Sequence, residues 1–380
     1  MLPAVLVLCV LQGGVQAEEG QPEPSNSSAA TSAPVERQLG VKRGPLPVMA
    51  GIVPGLLAHG AGHYVGGDRK SAWSLLKWEG LGLGFIAGGV TGLALTGAAR
   101  QTVGMLALLT VTGAGMFITS WLADLYGVLA PAGGWGSPLR VEPWLQARLG
   151  MRYMSDPTLG GEWFLGPALD LRFKRWRWSP GAWIAAGSQN MRFENALAYR
   201  AYGPLPASDK LALDGSYVDI VAGQFHHRYR EEFSPALNST FQITSVDVRV
   251  EARLDLQRIL PSLTGSFVEG NAGAGLAAYH FPTPSATEAS SVLLGGFGFG
   301  VYLGREPARW GQARMYYNHR HDDFAGGLKT PGLGSGALGH FGADLVAYLS
   351  QHWGFRTDVQ AGSAWIVGLS ALYRYGRVSS

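Results

Sequence analysis

The stretch Val246-Asp247-Val248-Arg249-Val250-Glu251-Ala252-Arg253-Leu254-Asp255-Leu256 alternates apolar and charged residues at every position. Successive side chains of a β-strand point to opposite faces, so this stretch predicts a strand with one apolar face and one charged face. A soluble β-sandwich also alternates, but so many charges do not oppose its core face over such long runs. The stretch therefore favours a strand that separates lipid from an enclosed, ion-lined interior.

Similar stretches recur through the C-terminal part of the chain. The spacing allows about 24 residues for each strand and its loop, which suits a barrel with short turns on one side and longer loops on the other. We predict an antiparallel β-barrel of about 10–12 strands within residues 139–377. The other candidate strands are Val141–Tyr153, Trp163–Phe173, Tyr217–Phe225, Val268–Phe281, Val292–Gly304, Ala313–His321, Phe341–Leu349, Phe355–Trp365 and Val367–Tyr375.

The composition supports a membrane protein. The 380 residues include 55 Gly, 12 Trp, 14 Tyr and 15 Phe, while charged residues make up only 15%. An average soluble domain carries about 25% charged residues and about half as much glycine. A net charge of +3 is too small to indicate a nucleic-acid partner.

The first residues predict a leader and a tether. Residues 1–17 hold a short apolar run followed by small residues at the positions that a signal peptidase reads, so we expect a secretory signal peptide. An uncleaved anchor is the alternative. Residues 18–44 are rich in Glu, Pro, Ser and Ala, which predicts a disordered tether. Cleavage after Ala17 removes Cys9 and leaves neither a disulfide nor a thiolate metal site.

Residues 45–130 predict an apolar helical segment. Three uncharged stretches, Gly44–Gly67, Gly80–Ala99 and Gln101–Ala123, are each long enough for one bilayer crossing. The last two predict a helical hairpin, with glycines such as Gly80, Gly84, Gly88 and Gly92 allowing close helix approach. Two crossings or none fit a following outer-membrane barrel better than three. Whether this segment spans the membrane or packs on the barrel is left open.

Two histidines in this segment raise the question of a metal site. His59 and His63 would share one face of a helix and could both reach Zn²⁺. A metalloprotease helix needs Glu after the first histidine, and here that position is Gly60. Asp68 is nearby, but no third ligand is evident. We therefore predict no metal or other cofactor, and assign the histidines to contacts between helices or with lipid head groups.

The charged residues of the predicted inner face have two interpretations. They could form the selectivity lining of a pore. They could instead form an ion-pair network that fills and stiffens a narrow, closed lumen, which we favour at this strand number. These residues are Arg148, Asp170, Arg172, Asp247, Arg249, Glu251, Arg253, Arg356 and Asp358.

In its pattern the chain resembles Gram-negative outer-membrane β-barrel proteins that carry an N-terminal Gly-rich helical hairpin. That resemblance implies a membrane α+β fold, location in the outer membrane, and contact with membrane lipid and lipopolysaccharide. It implies a structural role or the passage of small solutes. An inner-membrane protein anchored by residues 45–130 is an alternative.

A second resemblance concerns a possible enzyme. The segment Tyr317–Asp323 is similar to the histidine-bearing strand of outer-membrane lipid A deacylases, in which His and a nearby Ser form a hydrolytic pair. In this sequence the residue two positions after His319 is His321, so the nucleophile is missing. We therefore predict no catalytic residues and no enzymatic activity, and keep a lipid-active enzyme as the alternative.

Overall fold

The computed structural model describes residues 41–97, 99, 101–156, 160–206, 212–229, 241–280, 287–320 and 339–378. The predicted leader, residues 1–17, lies outside this part of the chain, as do His321 and most of the predicted tether. Residues 41–44, which the sequence assigns to the tether, belong to the folded part. Val41 is buried, and the backbone N–H of Lys42 donates to the carbonyl oxygen of Gly66 at 2.8 Å.

Four α-helices precede the barrel in the part of the chain that the structure describes. The first two are short, and a 3₁₀ turn over Pro54–Leu56 separates them. The third begins at Asp68, whose carboxylate accepts the backbone N–H of Ser71 at 3.1 Å and so caps the helix. The helices are α1 (Pro45–Ile52), α2 (Ala61–Val65), α3 (Arg69–Leu95) and α4 (Val103–Leu129).

Twelve strands form a closed antiparallel barrel, in which each strand pairs with its neighbour in sequence and β1 pairs with β12. This confirms the predicted barrel and places its strand count at the upper end of the expected range. The strands are β1 (Leu145–Asp156), β2 (Gly160–Phe173), β3 (Trp176–Ala185), β4 (Met191–Tyr202), β5 (Tyr217–Arg228), β6 (Gln242–Asp255), β7 (Ser266–His280), β8 (Thr287–Leu303), β9 (Gly311–Asn318), β10 (His340–Tyr348), β11 (Trp353–Ala361) and β12 (Trp365–Tyr375).

The alternation of the strands separates an apolar outer face from a charged inner face. On β1, Leu149 and Met151 point outward and are more than half exposed, whereas Arg152 and Met154 point inward and are buried. Both ends of the barrel chain, the start of β1 and the end of β12, lie at one mouth, which we call the terminal mouth. The other mouth is the loop mouth.

Helices α3 and α4 form a hairpin that packs against the outside of the barrel wall. Gly115 of α4 lies against the ring of Phe297 on β8. A Cβ at Gly115 would come within 2.7 Å of that side chain. Nearer the terminal mouth, Tyr126 packs against Phe299, with 6.2 Å between ring centroids. Phe297 and Phe299 both lie on the outward face of β8. The hairpin therefore runs beside the strands and leaves the lumen free.

Glycines bring the two helices together, but most are not those that the sequence pattern singled out. A Cβ on Gly82 would come within 2.8 Å of the Gly113 carbonyl oxygen, and one on Gly113 within 2.6 Å of the Gly82 carbonyl oxygen. Gly80 and Gly84, by contrast, face open space. An α-helix has 3.6 residues per turn, so residues two apart lie on nearly opposite faces. The face of α3 that contacts α4 is therefore the one that holds Gly82, and Gly80 and Gly84 lie on the other side.

Candidate functional site

The inner faces of the strands enclose a cavity of about 440 Å³. Its volume falls within the range of small-molecule sites in proteins. Five arginines and four carboxylates line it, so its wall carries a slight excess of positive charge. The charged residues are Arg148, Arg192, Arg249, Arg320 and Arg356 with Asp170, Glu194, Asp247 and Glu251.

An unbroken chain of ion pairs crosses one side of the lumen. Arg253 on β6 lies 2.5 Å from Glu269 on β7, which also binds Arg314 on β9 at 2.7 Å. Arg314 pairs with Asp344 on β10 at 2.9 Å, and Asp344 binds Arg356 on β11 at 2.8 Å. Each carboxylate serves two arginines, so the chain ties five strands through their side chains as well as their backbones.

Glycines make room for these long side chains on the inner wall. A Cβ on Gly273 would come within 2.5 Å of the Cβ of Arg249, and one on Gly300 within 2.2 Å of the Phe267 ring. These inner-face glycines of β7 and β8 therefore leave space for side chains of the neighbouring strands. Gly295 differs, because it points outward, where a Cβ would come within 3.0 Å of the Leu108 side chain of α4.

A cluster of apolar and aromatic residues, which we call the floor, lies beneath the cavity at the terminal mouth. Val346 and Leu372 belong both to this cluster and to the cavity wall, which places the floor directly below the charged residues. Arg374 stacks over Tyr348 at 3.7 Å. The floor consists of Phe267, Tyr302, Trp310, Val346, Tyr348 and Leu372, with Leu139 packed against it.

Residues 130–144, which we call the strap, connect α4 to β1 by crossing the terminal mouth. The strap is tied first to the end of β8, where the backbone N–H of Ser137 donates to Gly304 at 3.1 Å. Trp310 donates its indole N–H to the Ser137 carbonyl oxygen at 2.9 Å. On the far side Glu142 forms ion pairs with Arg172 at 3.1 Å and Arg200 at 3.2 Å. The strap thus holds the floor from below.

The ion pairs of Glu142 with Arg172 and Arg200 hold this end of the strap in place. Burial raises the pKa of this carboxyl, but the charges of Arg200 and Arg172 outweigh burial and lower the pKa to about 2. The ordinary pKa is 4.5. A carboxyl whose pKa falls on folding stabilises the folded state above its unfolded pKa and loses that stabilisation as the pH falls through its folded pKa.

We therefore expect the strap to loosen between about pH 4.5 and pH 2, with a loss on the order of 3 kcal/mol. Limited proteolysis of the strap across this range would measure the release. Glu142→Gln is expected to be equally cleavable at all these pH values. Glu306→Gln, at an exposed position of the same mouth, is the control and should behave as wild type. A strap that stays protected at pH 2 would contradict the assignment.

Two further apolar clusters lie on the inner face toward the loop mouth. In one, Trp183 stacks under the guanidinium of Arg152 at 3.9 Å, and that arginine pairs with Asp358 at 3.3 Å. In the other, Phe225 stacks with Arg192 at 3.9 Å. The clusters are Met154, Phe164, Trp183, Ala185, Ala364 and Ile366, and Phe225, Ile243, Ala277, Val292 and Leu294.

Sequence reasoning placed the inner charges well but did not find all of them. The nine charged residues that it named lie on the inward-facing positions of their strands. It did not name Arg192, Glu194, Glu269, Arg314 and Asp344. Asp344 lies within a candidate strand and alternates with apolar residues, so the same signal could have found it. Arg192 and Glu194 belong to β4, a strand that the pattern did not identify.

The paired histidines lie in a buried polar cluster between the short helices and the hairpin. The Nδ1 atom of His63 lies 2.6 Å from Asp124 Oδ1, and the Nδ1 atom of His59 lies 2.6 Å from the Ser120 hydroxyl oxygen. Glu79 accepts the backbone N–H of His59 at 2.8 Å. Across the described ranges no three His, Cys, Asp or Glu residues are grouped to hold a metal ion. The cluster joins four segments by hydrogen bonds.

The other predicted histidine position lies where β9 ends. The Nδ1 atom of His319 lies 3.0 Å from the hydroxyl oxygen of Tyr317, which in turn accepts the backbone N–H of Gly339 at 2.9 Å. This contact ties the ends of β9 and β10 together. His321 lies outside the described residues, so the histidine pair itself is not placed.

Two helices, Arg69–Leu95 and Val103–Leu129, are long and apolar enough to cross a membrane. No protein-family model matches the sequence, and no curated protein matches it either.

Solved structures that match part of this chain include two autotransporter domains and a porin. The β-domain of the Bordetella autotransporter BrkA is 15% identical, with 61% of this chain and 98% of that chain covered and a TM-score of 0.32. The translocator domain of the autotransporter NalP from Neisseria meningitidis is 11% identical, with 62% and 89% covered and a TM-score of 0.33. The NanC porin is 10% identical, with 61% and 100% covered and a TM-score of 0.34.

Proposed function

We propose that this chain is a structural barrel of the Gram-negative outer membrane whose lumen is closed at the terminal mouth. The floor and the strap carry the proposal, because together they place packed aromatic side chains and a backbone segment across the opening. The ion-pair chain above them supports it, since paired charges fill and stiffen a lumen.

The outer surface supports the membrane location. Trp163 and Phe173 lie near opposite ends of β2, and both are more than half exposed. Roughly ten residues separate them, which is about 33 Å along a strand and about 25 Å across a bilayer at the usual tilt. Leu165 and Leu169 point outward between them. Aromatic residues at both borders of an apolar band are typical of outer-membrane barrels, so we propose lipid and lipopolysaccharide as its surroundings.

The length and surface of the helical hairpin support its location in the same membrane as the barrel. A helix of 27 residues is about 40 Å long, enough to follow the wall from one mouth to the other. One side of α3 exposes Leu83 and Val90, which suits contact with lipid. Because the hairpin buries its other side on β7 and β8, we favour this arrangement over an inner-membrane anchor.

A small-solute pore is the second candidate function, and the charged cavity favours it. In that case the strap and the floor form a gate, and the wall charges select the solute. The two candidates differ in whether the resting protein conducts ions.

We expect the purified wild-type chain to give no conductance steps in a planar bilayer at neutral pH. The combined variant Phe267→Ala, Tyr348→Ala and Leu372→Ala removes three floor side chains and is expected to conduct in discrete steps. Leu149→Ala with Met151→Ala, on the outer face, is the control and should stay silent. Steady conductance by the wild type would favour the pore and overturn the structural role.

A lipid-active enzyme is the less favoured alternative. Its candidate residue His319 contacts Tyr317, whose hydroxyl also binds the backbone of Gly339. These contacts support a role in joining two strand ends. If the wild type released fatty acid from lipid A and His319→Ala did not, the enzyme hypothesis would be favoured over the structural role.

A further inference from the structure

The arginines of the cavity wall differ in what they bind. Arg192 pairs with Glu194 at 2.7 Å, Arg320 with Asp247 at 3.0 Å and Arg356 with Asp344 at 2.8 Å. Arg249 binds both Asp247 and Glu251, at 2.5 and 2.8 Å.

Arg148 is the exception among these arginines. Within the part of the chain that the structure describes, it forms neither an ion pair nor a hydrogen bond, and its Nε atom is buried without a partner. It lies just above the floor, because it is opposite Leu372 in the β1–β12 pairing. An unpaired charge that is partly removed from water is costly, and a ligand can supply the missing partner.

Among the described residues no carboxylate lies within ion-pair distance of Arg148. Arg152 and Arg356 are close enough to repel it, and its contact with the Trp183 ring is long, at 5.6 Å. Asp170 and Glu194 attract it from a greater distance, and both have other partners. Asp170 accepts the hydroxyl hydrogen of Ser179, and Glu194 binds Arg192. The positive end of the cavity is therefore at Arg148.

Neutral hydrogen-bond donors also line the cavity, on the side of Arg148 and on the opposite side. Gln146 lies two residues before Arg148 on the same face of β1, and Asn271 faces the cavity from β7. A planar guanidinium can bind a carboxylate through two parallel hydrogen bonds, while side-chain amides donate to further ligand oxygens. The cavity volume of about 440 Å³ accommodates a small organic molecule.

We propose that the cavity binds a small organic carboxylate, with the Arg148 guanidinium as its principal contact and the Gln146 and Asn271 amides as additional donors. The site requires only the cavity, so it is independent of whether the barrel conducts.

Isothermal titration calorimetry of the full chain in detergent, with succinate as the probe, tests the site. The wild type is expected to bind succinate saturably and to bind the neutral succinamide far more weakly. Arg148→Gln is expected to weaken succinate binding by about tenfold or more, because the charge-assisted bonds are lost. Arg69→Gln, on the exposed outer surface, is the matched control and should bind as wild type. Equal binding by Arg148→Gln, or no saturable binding by the wild type, overturns the proposal.

Thermal unfolding separates ligand binding from a structural role of Arg148. Without succinate, Arg148→Gln is expected to be as stable as the wild type or more stable, because it removes a partly buried charge that has no ion-pair partner among the described residues. Succinate should raise the unfolding temperature of the wild type and leave that of the variant unchanged. A variant that is markedly less stable without succinate would assign Arg148 to the fold and overturn the proposal.

Discussion

Replacing Asp344 by asparagine is expected to destabilise the barrel by about 3–5 kcal/mol, the largest effect of any single charge in the lumen. The Asp344 carboxylate binds Arg314 and Arg356 together, and its side chain is only 2% exposed. Asparagine preserves the size of the side chain but removes the negative charge. Two arginines would then face each other across a buried site with one neutral oxygen between them.

Urea titration of the detergent-solubilised protein, followed by the heat-modifiable shift of the barrel on a gel, measures this loss. Asp358→Asn is a graded comparison, because among the described residues Asp358 forms one ion pair, with Arg152 at 3.3 Å, and its loss should cost less stability. Glu288→Gln, at an exposed position on β8, should lose almost none. A loss below about 1 kcal/mol for Asp344→Asn would mean that solvent screens the network.

Replacing Gly113 by valine is expected to separate α3 from α4 and to detach the hairpin from the wall. A Cβ at this position would come within 2.6 Å of the Gly82 carbonyl oxygen and 2.7 Å of the Ile86 backbone nitrogen. Both atoms belong to the helix backbone, so no side-chain rotation can relieve the clash. Overpacking in a well-packed site costs about 1–3 kcal/mol or more, and a backbone clash belongs at the upper end of that range.

Gly84→Val is the matched control, because it carries the same β-branched side chain in a helix but faces open space. Hydrogen exchange of α3 backbone amides measures the effect, and we expect faster exchange in Gly113→Val than in Gly84→Val. The barrel amides should be unaffected, since the strand pairing closes without the hairpin. Equal exchange in the two variants would show that the hairpin does not need this close approach.

The alternation of apolar and charged residues in β6 predicted that strand closely, whereas no such pattern identified β3 and β4. β3 contains Pro180, which lacks a backbone N–H, and its pairing with β2 skips residues around that proline. On β4 the outward-facing Asn195 interrupts the apolar face. Its side-chain oxygen accepts the indole N–H of Trp178 at 2.6 Å, so a polar atom on the outer wall is satisfied by the next strand. Pairing across strands compensated for features that weaken a single strand's pattern.

The histidine cluster illustrates a similar limit. The spacing of His59 and His63 was visible, but their partners Ser120 and Asp124 lie about 60 residues later, within an apolar stretch. Nothing local to either segment indicates that they meet. The folding of the short helices onto the hairpin brings them together.

The sequence by itself determined that a barrel forms and which faces of the identified strands meet lipid and lumen, because an alternation of period two has only one such solution in a bilayer. It also determined that a glycine-rich hairpin precedes the barrel. Only the tertiary structure decided that the hairpin lies on the outer wall at β7 and β8, that the strap crosses the terminal mouth, and that Arg148 has no ion-pair partner among the described residues. These features depend on contacts between residues far apart in the chain, and a local pattern carries no information about which distant surfaces fit together.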